Sequence, residues 1–201
     1  VERRWDPSGP GRSDALDAES IRAVCAGASV IYNCVNVPYP EWESKFPPMM
    51  RNIAKAAGSA NAKLIFADNL YMYGPVDGMI TEDLPYNAQG HKGKLRARMA
   101  NDLMDAHRAG KVRVAIGRAS DYYGPGATNA IAGKDLFTAV VAGKKAMWAG
   151  SLDQPHTLTF IRDFARGLAV LGERDEALGQ AWHIPGTEPI TGREFMRIAF
   201  E

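Results

Sequence analysis

The sequence is short of cysteine, of charge imbalance and of long apolar runs, and each shortage excludes a class. Two cysteines, Cys25 and Cys34, cannot build a disulfide framework, and no second Cys/His pair stands at metal-ligand spacing. A reducing cytoplasm is the expected compartment. Lys+Arg is 24 against Asp+Glu 23, a net charge of +1 that excludes a dedicated nucleic-acid binder and an acidic solvating tail. No run of eighteen apolar residues is present, so neither a membrane span nor a membrane partner is expected. A Gly-x-Ser-x-Gly nucleophile elbow is also missing. A hydrolase would have to rest on Ser120, beside Asp121 but with no evident His partner. What remains is ordinary globular composition, 46% hydrophobic and 23% charged over 201 residues: one domain, or one domain and a lobe.

The ends have their own character. Residues 1–14 are polar and rich in turn formers, with no signal-peptide pattern. Val1 is not methionine, and the pattern at Glu201 is still helical, so both ends are read as cut.

Between them strands and helices alternate. Asp17–Ser20 caps a helix over 18–26, and Ser29–Asn36 is a near-continuous apolar run, the mark of a strand buried on both faces. Pro38 and Pro40 break it. A helix is expected over Pro48–Ala57, a strand over Ala62–Ala67, and a long irregular loop over Asp68–Gly90. Leu95, Met99, Leu103 and Ala106 mark a helix over 94–109, and Val112, Val114 and Ile116 a strand. A Gly/Pro turn at Tyr123–Gly126 opens a less regular region. It holds a helix around Leu136–Val141, a strand over Thr157–Ile161, a helix from Asp163, a short strand at Ala181–Ile184 and a capping box at Thr191–Glu194. Alternation over 18–118 predicts an α/β fold with a parallel sheet and helices on both faces. Ligands of such sheets bind beyond the carboxyl ends of the strands, here Asn33–Asn36, Ala67–Tyr73 and Arg118–Tyr123, all rich in polar side chains.

Five blocks in register carry a resemblance. They are Lys63-Leu-Ile-Phe-Ala-Asp-Asn-Leu-Tyr-Met-Tyr-Gly-Pro75, Glu82-Asp-Leu-Pro85, Lys94 at a helix start, Arg118-Ala-Ser-Asp-Tyr-Tyr-Gly-Pro-Gly126 and Phe160-Ile-Arg-Asp-Phe-Ala-Arg-Gly-Leu168. Together, over about 14–200, they resemble the extended short-chain dehydrogenase/reductase family in its NAD-dependent epimerase/dehydratase branch. The resemblance implies a Rossmann-type core over 14–123, here truncated, and part of a small C-terminal substrate lobe mixed with the end of the sheet over 124–201. It implies an oxidoreductase or isomerase of a small substrate such as a nucleotide sugar, using NAD or NADP, and a homodimer through the segments 48–57 and 94–109.

By the same resemblance Cys34, Val35, Ala67, Lys94, Ala119 and Ser120 fall at cofactor-binding positions, and Tyr71, Asp121 and Tyr122 at substrate-binding ones. Three departures stand out. No glycine triplet forms the pyrophosphate loop, so this chain is expected to bind NAD or NADP weakly or not at all. The family's Ser/Thr falls on Asn69, which can donate a hydrogen bond but cannot exchange a proton near neutrality. No tyrosine precedes a lysine by four: with Lys94 at the family lysine, Gly90 stands at the tyrosine. Catalysis would then fall to Asn69 and Lys94, with His91 either a substitute acid/base or a surface histidine. A non-redox module that kept the fold, or a divergent hydrolase, stays open. The cations His91, Lys92, Lys94, Arg96 and Arg98 read as a solvated face or a phosphate contact, and His156 and His183 as isolated, satisfied histidines. Trp42, Trp148 and Trp182 fit packing better than a cleft lining.

Overall fold

The structure is a computed structural model that describes residues 13–127 and 130–201, so most of the polar segment 1–14 lies outside the described residues. Helix α1 (Ala18–Cys25) begins at Asp17, whose carboxylate accepts the backbone N–H groups of Glu19 and Ser20 at 3.0 and 3.3 Å. Strand β1 (Val30–Asn33), helix α2 (Trp42–Ser59), strand β2 (Lys63–Asp68), helix α3 (His91–Arg108) and strand β3 (Arg113–Arg118) follow. The order β1-β2-β3 is all parallel, with Phe66 opposite Ile116 and Asp68 opposite Arg118.

The second half contributes β4 (Asp121–Tyr123), α4 (Lys134–Val141), β5 (Pro155–His156), β6 (Leu158–Phe160), α5 (Ile161–Glu173), β7 (Ala181–His183), β8 (Ile190–Thr191) and α6 (Gly192–Phe200). Strand β7 adds to the sheet beside β3, in parallel. Strands β4 and β6 make a parallel pair, and β5 and β8 an antiparallel one. Thr191 and Glu194 form the capping box that starts α6.

Alternation along β2 divides the core. Leu64 and Phe66 face α1, α2 and α3, while Ile65 faces Phe164, Leu168 and Leu171 of α5. All three β2 side chains are buried, each worth about 1.5–3 kcal/mol relative to exposure. Helices therefore cover both faces, as the alternation implied.

Two helices start earlier than their patterns suggest. Helix α2 opens at Trp42 rather than Pro48 and carries Pro47 and Pro48 inside it. The carbonyls those prolines leave without an N–H partner belong to Glu43 and Ser44, which are exposed and can bond water. Helix α3 opens at His91, three residues before the expected start. Its Gly93 allows close approach: a Cβ there would stand 2.5 Å from the Tyr71 carbonyl oxygen, so glycine seats the loop after β2 against the helix. No helix among the described residues is long and apolar enough to cross a membrane.

Candidate active site

The carboxyl ends of β1, β2 and β3 end in polar residues that the sheet register brings side by side. Asn33 is buried; its Nδ2 reaches Met50 Sδ at 2.9 Å and its Oδ1 accepts Val35 N–H at 3.1 Å, bending the chain away from the sheet. Asn69 uses its Oδ1 the same way, on Tyr71 N–H at 3.0 Å. Its Nδ2 donates to none of the described residues and is free for a ligand oxygen.

Tyr71 stands in an aromatic group. Its hydroxyl lies 3.0 Å from that of Tyr39, and Trp42 stacks under both rings, with centroids at 4.8 Å from Tyr39 and 6.1 Å from Tyr71. Lys92 Nζ sits 3.6 Å above the Tyr39 ring. Burial pushes the Tyr71 phenol far above its ordinary value, helped by the hydrogen bond to Tyr39 and the charge of Asp121. Tyr71 is therefore a hydrogen-bond donor at neutral pH. Tyr122 is pushed up in the same way, first by burial and then by Asp68. Its ring packs on Phe164 at 5.1 Å.

Beneath this floor is a buried charge network. The Asp68 side chain is fully buried between Arg96 Nη1 and Arg118 Nε, each at 3.4 Å. Arg118, also fully buried, donates to Tyr73 OH at 2.6 Å and to Tyr86 OH. Arg96 lies against Trp42 and Phe46, at 4.4 and 4.6 Å, and its Nε has no partner. Arg96 thus departs from the solvated cation face expected of residues 91–98. The signal was present: Arg96 adjoins the apolar stripe of Leu95, Met99 and Leu103, one turn from Lys92.

The network continues to the surface through Tyr73, whose hydroxyl lies 2.8 Å from His183 Nε2; His183 N–H in turn donates to Glu82 Oε1 at 2.8 Å. His183 is thus satisfied, and Glu82 ties the long loop to the edge strand β7. Burial pulls the His183 pKa below its ordinary value, against the pull of Glu82. A histidine depressed on folding stabilises the protein above its unfolded pKa of about 6.5 and loses that contribution as pH falls through the folded value. His183→Gln is expected to flatten the loss of stability below about pH 6.5, read by urea titrations at several pH values; an unchanged slope would remove His183 from the acid response.

The expected site residues separate into groups. Asn69, Tyr71, Asp121 and Tyr122 stand at the strand ends with Cys34 and Val35, both exposed. Ala119 is buried, its N–H donating to the Asp68 carbonyl at 3.3 Å, and Ala67 packs toward α5. Ser120 Oγ donates to Thr157 O at 2.5 Å, which ties down the hydroxyl a hydrolase would need. His91 and Lys94 lie elsewhere. With α3 starting at His91, Lys94 is turned about 200° from Lys92 around the helix. His91 and Lys94 line a groove of about 440 Å³ with Glu43, Tyr86 and Arg98. The cation over the Tyr39 ring is Lys92.

One pair escaped the sequence altogether. His156 Nε2 lies 2.8 Å from Asp121 Oδ2, which holds its pKa above the ordinary histidine value. His156 is therefore not isolated. Beyond β4, Gly124–Ala127, Gly133, Lys134 and Phe137 line a cavity of about 320 Å³. Among the described residues no three His, Cys, Asp or Glu side chains come together as a metal site.

The strand ends can take the flat end of a dinucleotide, but a pyrophosphate finds no seat at α1. Its first N–H groups are taken by the Asp17 carboxylate, and Glu19 adds a second negative charge. The residues thus fit half of such a cofactor. A profile of the NAD dependent epimerase/dehydratase family matches residues 10–184. UDP-glucuronic acid 4-epimerase from Bacillus cereus, solved in complex with NAD, is similar at TM-score 0.81 and 18% identity, over 94% of this chain and 62% of that one. dTDP-glucose 4,6-dehydratase from Bacillus anthracis, also with NAD, gives 0.81 and 17%, over 96% and 64%. The dTDP-glucose 4,6-dehydratase DesIV from Streptomyces venezuelae gives 0.77 and 19%, over 93% and 61%. The chain therefore spans less than two thirds of the length of these structures. No curated protein sequence matches it. At such identities the likeness shows the fold; the profile covers most of the chain, and by it the chain belongs to the NAD-dependent epimerase/dehydratase family.

Proposed function

We propose that the cleft over β1, β2 and β3 takes a nucleotide sugar and the nicotinamide end of NAD or NADP, in an oxidoreductase or isomerase of the epimerase/dehydratase kind. The observation that carries this reading is the meeting of Asn69, Tyr71 and Asp121 at adjacent strand ends, inside a chain of this family. Asn69 Nδ2 and the Tyr71 hydroxyl are donors for a sugar oxygen, and Lys92 supplies positive charge beside them. The bound cofactor would supply hydride acceptance; the chain's own part is to orient the sugar and handle its proton. The cavity at Lys134 and Phe137 offers a cation and an aromatic ring to the nucleotide part.

Calorimetry tests both halves. UDP-glucose is expected to bind, and NAD and NADP to bind weakly, on the order of millimolar or worse, because this chain shows no glycine triplet for the pyrophosphate and Asp17 occupies the α1 N-terminus. Micromolar NAD affinity would show that other residues seat the pyrophosphate. A non-redox sugar-binding module is the second reading, favoured by that same Asp17 cap, and binding of UDP-glucose with no turnover in the presence of NAD would select it. Both free cysteines support a reducing compartment, the cytoplasm.

We also propose a homodimer through α2 and α3. Their exposed positions carry both signs, Arg51 and Lys55 against Asp102, which a two-fold contact can pair. Sedimentation should show a dimer at tens of micromolar, in the range of ordinary association constants. A clean monomer there rejects it.

A further inference from the structure

Asp121 and His156 come from different strands, 35 residues apart in sequence, and meet at 2.8 Å. Histidine donates through Nε2 to the Asp121 carboxylate, which leaves Nδ1 with its lone pair free. Nδ1 contacts none of the described residues' polar atoms, and the His156 side chain is 39% exposed. Asp121 opens β4 three residues after β3 ends at Arg118, so the pair stands on the carboxyl side of the sheet, the side on which β2 runs into Asn69 and Tyr71.

The surroundings leave Asp121 as the charge that governs His156. From the loop before β5, Trp148 meets the imidazole edge-on at 6.2 Å. Strand β8 places Ile190 opposite it. On α6, Arg193 is held by Asp153 at 2.9 Å, and Glu194 is engaged with Thr191 in the capping box.

We propose that His156, oriented by Asp121, is the proton-exchanging side chain of the cleft, in place of the tyrosine that this chain does not have before a lysine. The proposal rests on the nucleotide-sugar reading of the site. Oxidation of a sugar hydroxyl releases one proton and one hydride. The O–H bond breaks and an Nδ1–H bond forms on His156, while the hydride leaves carbon for an oxidant of the nicotinamide dinucleotide class. The imidazolium stays hydrogen-bonded to Asp121, which stabilises its charge, and reduction returns the same proton to oxygen. Asp121 is a positioning residue; His156 is the group that touches substrate. Neither Asn69 nor a strongly raised Tyr71 can accept a proton near neutrality.

The test uses the full chain and UDP-glucose as the probe. Side-chain nitrogen NMR of the four histidines, 91, 107, 156 and 183, is recorded across pH with and without the probe. His156 is expected to titrate above its ordinary value, to fall toward it in Asp121→Asn, and to shift in resonance and pKa when UDP-glucose binds. In turnover with NAD present, His156→Gln is expected to lose about 10²–10⁴-fold in kcat with KM little changed, and Asp121→Asn to move the acid limb of the pH–rate profile downward. Binding of UDP-glucose with His156 unmoved, or full activity in His156→Gln, overturns the proposal and leaves the nucleotide-sugar reading standing. Absence of UDP-glucose binding overturns both.

Discussion

Asp68→Ala is expected to destabilise the protein by about 3–5 kcal/mol, the range seen when one partner of a buried ion pair is removed. The carboxylate is completely buried and is shared by two guanidiniums, Arg118, fully buried, and Arg96, whose side chain is 7% exposed. With Asp68 gone, two positive charges remain in the interior, and Tyr73 and Tyr86 can offer Arg118 hydroxyl oxygens but no charge. For a chain of this size each kcal/mol moves the melting temperature by about 2–4 °C, so a drop on the order of 10 °C is the expected reading. Asp68→Asn keeps the shape and part of the hydrogen bonding and should fall between wild type and Asp68→Ala. Asp102→Ala, on the exposed side of α3, is the control and should stay within about 0.5 kcal/mol. A loss below about 1 kcal/mol in Asp68→Ala would mean that water reaches the two arginines.

The frame of the molecule was written in local patterns, and its site was not. Strand β2 announces itself as an apolar run because both of its faces are covered, and β3 shows through its alternating Val114 and Ile116. Strand β1 reads as an apolar run although it is an edge strand with Tyr32 exposed. Helix α3 shows its Leu95–Met99–Leu103 stripe because one face packs on the sheet. Helix boundaries are less visible, and here a boundary decides chemistry. The extra turn from His91 brings Lys92 over the Tyr39 ring, while Lys94 lies in the groove with Glu43. Pro47 and Pro48 hid the first turns of α2, since proline is a sound stop signal wherever the orphaned carbonyls are buried, and here they are exposed. The network of Asp68, Arg96 and Arg118 spans separations of 28 and 50 residues, and the Asp121–His156 pair one of 35. No window of sequence holds such pairs; only the register of the sheet and the β4–β6 pairing bring them together. Asn69 and Tyr71 were legible because they lie at a strand end, where the fold class alone places ligands.

Trp42→Ala is the substitution expected to couple core and site most strongly. Trp42 is 5% exposed, edge-on to Phe46 at 5.2 Å, with its Nε1 donating to Val37 O at 2.9 Å. Its ring meets the Arg96 guanidinium at 4.4 Å and the Tyr39 and Tyr71 rings at 4.8 and 6.1 Å. Truncation to alanine is expected to cost about 3–5 kcal/mol, the range for a large buried aromatic, read by urea or thermal unfolding. The effect on the site is separable from the effect on stability. Burial is the main reason the Tyr71 phenol is raised, and Trp42 stacks on the Tyr71 ring at 6.1 Å. Water entering the vacated space should bring Tyr71 back toward its ordinary value near pH 10, seen as an extra tyrosinate absorbance step in alkaline titration. Trp42→Phe keeps a ring under both tyrosines and loses the Val37 hydrogen bond, worth about 0.5–1.5 kcal/mol. It should therefore retain the raised Tyr71 at a small cost in stability. A Tyr71 titration unmoved in Trp42→Ala would show that the Tyr39 hydrogen bond and the Asp121 charge, rather than the tryptophan, keep that phenol protonated.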